Sequence, residues 1–119
     1  MAVSTKDSEP LQVQNQPGAL RYPLLAGNNV AIAIVEIDTK KFLSHPIVRH
    51  DFEEIVYILE GEVEMEYPEE KKKWIMKPGY AKYHPIGTAH RAKFKGDKIR
   101  ILEVTAPPGH GIKWADFRR

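Results

Sequence analysis

The feature that most constrains this chain is a succession of short β-forming runs cut by turn residues, with no helical period between them. Gly27-Asn28-Asn29 is a turn signal. Val30 to Ile37 follows, β-branched and apolar on both faces, as in a buried strand. Ile55-Val56-Tyr57-Ile58-Leu59 reads as a second buried strand, ended by a turn or bulge at Glu60-Gly61. Beyond it Glu62, Glu64 and Glu66 alternate with Val63, Met65 and Tyr67, giving one wet face and one dry. Pro68 to Lys73 is a charged hairpin tip, Trp74-Ile75-Met76 begins the return strand, and Pro78-Gly79 turns it. Tyr80 to His84 and Arg91 to Phe94 are short strands on either side of Pro85-Ile86-Gly87. Lys95-Gly96-Asp97 is a turn before a final strand, Lys98 to Thr105. Short strands at even spacing predict an all-β sandwich or barrel.

A length of 119 residues supports one domain. Residues 1–18 are polar, lack periodicity and read as a flexible N-terminal arm, which leaves 19–119 for the β domain. The alternative for Leu11 to Val13 is an edge strand added to the sheet or to a partner. Ile112 to Phe117 reads as a helical turn or a segment packed across the barrel. A net charge of +2, with both signs dispersed, argues against a nucleic-acid partner, and Arg118-Arg119 read as a solvated end. The absence of cysteine excludes disulfides, thiolate metal sites and iron–sulfur clusters. The first residues carry no apolar signal core, and the longest apolar run, Val30 to Val35, is too short to span a bilayer. The expectation is a cytoplasmic protein without a membrane partner.

Chemistry concentrates in two segments. His50-Asp51-Phe52-Glu53-Glu54 leads into the second buried run, and Pro85-Ile86-Gly87-Thr88-Ala89-His90 follows Gly79. Residues four apart on a strand share a face, so His50 and Glu54 converge, and His90 approaches from another strand after a tight turn. Two imidazoles and a carboxylate suit Fe, Mn, Ni, Co or Zn and leave positions open for a substrate. The bland alternative is a surface histidine among acidic neighbours. His84 and His45 are the remaining candidates near this set. Lys82 and His84 share a face, so His84 lines a pocket if that face points inward. His45 falls on the opposite face from His50 unless Pro46 breaks the parity. Tyr57 and Tyr83 are candidate pocket hydroxyls, with core or rim packing as the simpler reading. Arg49 and Glu53 alternate away from His50 and Glu54. The Glu62/Glu64/Glu66 ladder reads as a solvated face opposed by Lys71 to Lys73 and Lys77. Trp74 and Trp114 read as core or interface residues, and His110, between Gly109 and Gly111, as a loop residue. Nucleophile elbows, phosphate-binding glycine loops and zinc-protease helices are absent from the sequence.

These segments resemble the two motifs of the cupin superfamily. His50, Glu54 and Gly61 match H-x-H-x(3)-E-x(6)-G, and Gly79, Pro85, Gly87 and His90 match G-x(5)-P-x-G-x(2)-H-x(3)-N. Val48 stands where the first motif begins with His, and Phe94 where the second ends with Asn. The resemblance covers roughly residues 28 to 108. It implies a small jelly-roll barrel, or double-stranded β-helix, with a divalent metal on His50, Glu54 and His90. It also implies a homodimer. The expected function is that of an isomerase, lyase or dioxygenase acting on a small oxygenated molecule, a sugar derivative or a keto or enol acid. The departure at Val48 keeps open a non-catalytic small-molecule-binding or sensing barrel with a degenerate metal site. A structural metal or scaffold role is a third alternative.

Overall fold

A computed structural model describes residues 2–13, 16–41 and 43–117. Among these residues seven strands carry the fold: β1 (Leu11–Gln12), β2 (Ala19–Ala26), β3 (Ala31–Asp38), β4 (Glu53–Tyr67), β5 (Lys72–Met76), β6 (Ala81–His84) and β7 (Arg91–Ala106). All pairings are antiparallel, in the order β1-β2-β3-β7-β4-β5, with β6 on the free side of β4. β4 and β7 are long enough to serve two sheets. The first part of β4 pairs with β6 and the last part of β7, and its second part with β5 and the first part of β7. The two halves fold over one another as a jelly-roll barrel.

The bend falls where the sequence suggested chain breaks. Glu60-Gly61 is a bulge inside β4, and Lys95-Gly96-Asp97 is part of a continuous β7 instead of a turn between two strands. Gly61 has φ +83°, and a Cβ there would meet Ile99 and, at 2.8 Å, the Lys98 carbonyl. Only glycine lets the two strands bend together at this level.

Inward residues alternate along the strands. Ile58, Val63 and Ile99 are fully buried at the centre of the core. Burial of each large aliphatic side chain is worth about 1.5–3 kcal/mol. The second run is not buried on both faces: Val56 and Ile58 point inward, whereas Ile55 and Tyr57 lie exposed on the outer face. Glu62, Glu64 and Glu66 do face outward, but the ion pairs of Glu62 and Glu66 run to Lys95 and Arg91 on β7, not across the hairpin. Trp74 is exposed with Lys82 Nζ above its ring, and Trp114 is buried against Ala31 and Ala33.

The N-terminal segment joins the barrel. Thr5–Asp7 forms a 3₁₀ turn, β1 adds to β2 of its own sheet, and Val13 is buried in the main core. A second 3₁₀ turn, Trp114–Phe117, packs on β2, as the helical-turn reading of the tail anticipated. Arg118-Arg119 lie outside the described residues. No helix among the described residues is long and apolar enough to cross a membrane.

Candidate metal centre

The barrel encloses a cavity of about 320 Å³, and all five histidines of the chain line it. One donor atom each from His50, Glu54 and His90 lie within 4.8 Å of one another, so the spacing that singled out these three residues becomes a real convergence. Strand parity places Glu54 inside and Glu53 outside. Thr88 and His90 are tied by a bond from His90 Nδ1 to the Thr88 carbonyl at 3.0 Å. Nδ1 therefore carries the proton, and Nε2 keeps a lone pair for a cation. His50 stacks on Phe52 with ring centroids 4.6 Å apart, which fixes its plane.

The electrostatics favour ligation. Burial pushes His90 down to about 4, and His84 and His50 add to the shift. Burial also lowers His50. Both imidazoles are thus neutral at pH 7, the form that binds metals. Burial opposes ionisation of Glu54, but hydrogen bonds from His110 and His84 hold it well below the usual carboxylate range. Two neutral imidazoles and one ionised carboxylate are a donor set that fits a divalent cation of the first transition series.

The outlying candidates divide. His84 points inward from β6 and is buried, but both its ring nitrogens are engaged. Nδ1 lies 3.3 Å from Glu54 Oε1, and Nε2 lies 2.7 Å from the Tyr67 hydroxyl. With Nδ1–H donating to Glu54, Nε2 accepts from Tyr67 O–H, and burial raises Tyr67 so that this proton stays in place. His84 therefore orients Glu54. His45 does reach the cavity, from an irregular segment between the isolated bridges at Ser44 and Val48 where strand parity does not apply, yet its Nδ1 is bonded to the Pro46 carbonyl at 2.7 Å and it stands outside the three-donor group. Tyr57 and Tyr83 are not pocket residues. Tyr57 sits an odd three positions from Glu54, Tyr83 pairs in register with Ile55, and both are exposed on the outer face. Arg49 points outward to Glu69 and the Gly87 carbonyl, as its parity required.

His110 is the residue the sequence concealed. It is not a free loop side chain: Nε2 lies 2.8 Å from Glu54 Oε2 and 3.7 Å from Glu103 Oε1, forming a second acidic–imidazole group with them. Gly109 places it there. The Trp114 indole N–H donates to the Gly109 carbonyl at 2.7 Å, Gly109 N–H donates to Thr105 Oγ1 at 3.1 Å, and any Cβ on Gly109 would strike the Phe52 ring. The local signal was the glycine on either side of a residue with φ +64°. Polar contacts then run along the wall from Arg21 through Glu103, His110, Glu54 and His84 to Tyr67.

Val48 explains why the centre has three donors. Its backbone exchanges both hydrogen bonds with His90, at 2.9 and 3.0 Å, so the two side chains emerge side by side into the cavity. A histidine at this position would face the same centre. Phe94, at the other departure, is buried in the core and closes the cavity with apolar surface.

The sequence model of the family described as "Cupin domain" matches residues 34–111, well over half of the chain. This chain is a member of the cupin family. Solved structures of the same fold include KdgF from Halomonas sp., with a TM-score of 0.79 and 20% identity over 92% of this chain and 96% of that one. The polyketide cyclase RemF from Streptomyces resistomycificus superposes with a TM-score of 0.76 and 20% identity, over 91% of this chain and 80% of the other. The DMSP lyase DddQ from Ruegeria pomeroyi DSS-3 gives 0.70 and 23%, over 83% of this cupin and 56% of DddQ. At these identities the likeness concerns the fold. No curated protein sequence matches this cupin.

Proposed function

We propose that this cupin holds one divalent cation, Fe, Mn, Ni, Co or Zn, on His50, Glu54 and His90, and acts on a small oxygenated molecule. The substrate class is a sugar derivative or a keto or enol acid, and the reaction is an isomerisation, elimination or oxygenation. The observation that carries the reading is the convergence of the three donor atoms within 4.8 Å at the wall of the barrel cavity, with His90 Nδ1 already committed to Thr88. A bound cation supplies Lewis acidity toward a carbonyl or hydroxyl oxygen. The protein's part is to hold Glu54 ionised through His84 and His110, to keep both imidazoles neutral, and to exclude bulk water with Val48, Phe94 and Met65. His110 Nε2 lies against the Glu54 carboxylate and Glu103 holds the Arg21 guanidinium at the same wall. The occurrence of a cyclase and a lyase among structures of this fold supports an enzyme reading without choosing the reaction.

Elemental mass spectrometry of tag-free protein, beside the variant carrying His50→Ala and His90→Ala, tests this. The expected result is near one metal per chain, lost in the variant. Full metal retention in the double variant would overturn the ligand assignment. A wild-type protein that takes up no cation would favour the non-catalytic binding barrel.

A second copy of the chain is proposed as the partner on the outer sheet face. Two apolar rows cross that face in register, Tyr22-Ile34-Leu102-Tyr57 and Leu25-Ile32-Val104-Ile55-Tyr83. Ile55 and Tyr83 are each nearly half exposed, which favours burial against a matching surface. Sedimentation as a dimer at micromolar concentration, and as a monomer after Ile55→Lys, is the expected result. A wild-type monomer would count against the pairing.

A further inference from the structure

Among the described residues that line the cavity, Arg21 is the only lysine or arginine. It enters from β2, where it registers opposite Val35, and its side chain is only 12% exposed. Nε and Nη2 clasp the two oxygens of Glu103 at 2.8 and 3.3 Å, which fixes the plane of the guanidinium. Nη1 makes no hydrogen bond among the described residues. No buried side-chain nitrogen or oxygen there lacks a partner, so Nη1 is accessible to solvent. A rigid cation with one open N–H edge on a cavity wall is a recognition element for an anion.

The charge balance narrows the anion. Apart from the imidazoles, the described cavity wall carries one positive group, Arg21, and two negative ones, Glu54 and Glu103. The wall alone is net negative by one charge, and a bound dication makes it net positive by one. That balance suits a monoanion, whereas a phosphate dianion would return the loaded cavity to net negative. The cavity volume of about 320 Å³ lies at the lower end for ligand sites and admits a small acid.

We propose that Arg21 recognises the carboxylate of a small organic acid, so that keto or enol acids are the ligands of this site in preference to neutral sugars. The position of the ligand's other end, near His50, Glu54 and His90, rests on the metal reading above; the carboxylate contact does not. Glu103 acts as a positioning residue that holds the guanidinium plane.

The test is calorimetric binding of pyruvate, methyl pyruvate and inorganic phosphate to EDTA-treated and to Zn-loaded protein. Wild type is compared with Arg21→Met and with Arg21→Met/Glu103→Leu. The double variant removes the carboxylate that the single variant would strand in the cavity, and so keeps the test interpretable if the single variant folds poorly. The expected result is pyruvate binding weakened at least ten-fold in both variants, with and without Zn. Methyl pyruvate should bind weakly and equally to all three proteins. Equal pyruvate affinity in wild type and variants would overturn the proposal. So would the absence of pyruvate binding to wild type in both states, or a preference for methyl pyruvate or phosphate. Metal content is measured separately, so a failed metal reading leaves the comparison in EDTA to decide Arg21.

Discussion

The buried histidines make the metal-free protein sensitive to mild acid, by an amount that follows from His90. Its folded value lies near 4 because of burial, against an ordinary 6.5. Below 6.5 the unfolded chain takes up a proton that folded His90 refuses. The unfolded state then binds more protons, and stability falls as pH falls. At about 1.4 kcal/mol per pKa unit, His90 alone removes about 2 kcal/mol between pH 7 and 5, and about 3 kcal/mol once pH passes below 4. His50 and His45, also lowered by burial, act in the same direction. Glu54 does not contribute within this window. Its folded value is depressed, so its stabilisation is present above the ordinary 4.5 and is lost only as pH falls further. The assay is urea unfolding in EDTA at pH 7, 6 and 5, followed by the fluorescence of Trp74 and Trp114. Wild type should lose about 2 kcal/mol more than His90→Gln over this interval. Parallel pH dependence in the two proteins would refute the reasoning.

Other perturbations have equally direct readouts. Gly61→Ala combines a positive φ with contact against Ile99 and the Lys98 carbonyl, and should cost about 2–4 kcal/mol in urea unfolding. Tyr67→Phe leaves His84 Nε2 buried without its hydroxyl partner, and should cost about 1–3 kcal/mol while weakening metal uptake by loosening Glu54. Val48→His places a third imidazole, and so a fourth donor, beside His90 and should raise metal affinity at least ten-fold in a competition titration against a chelator. Saturating Zn should raise the unfolding midpoint of wild type at pH 7 and leave that of His50→Ala/His90→Ala unchanged.

Strand arithmetic made much of the centre legible. A period of two put Glu54 inside and Glu53 outside. His50 lies ahead of β4, before the bend at Asp51-Phe52, and reaches the same cavity from there. The same parity applies to Tyr57, three positions from Glu54, and excludes it from the cavity; its aromatic character suggested a pocket role that its position denies. The bends at Gly61 and Gly96 looked like chain breaks because glycine carries the same local signal in a turn and in a bulge. The difference lies in the partner strand, since β4 and β7 bend at one level and keep pairing on both sides.

His110 marks the boundary of what a single sequence can reveal. Its neighbours define only a flexible left-handed turn, while its place beside Glu54 is set by Phe52, Thr105 and Trp114, each on a different segment. The carboxylate that a strand motif supplies is therefore held ionised by a histidine from outside the motif. That dependence changes how the missing family histidine should be viewed. Val48 removes a donor from one side of the centre, and His110 and His84 both bind the Glu54 carboxylate that remains. Each carboxylate oxygen still has a second lone pair, so these bonds orient Glu54 without consuming its capacity for a cation. The proposed centre has fewer donors than the family motif, but those it keeps are fixed in place by hydrogen bonds or stacking, and preorganisation of this kind would limit the affinity lost with a ligand.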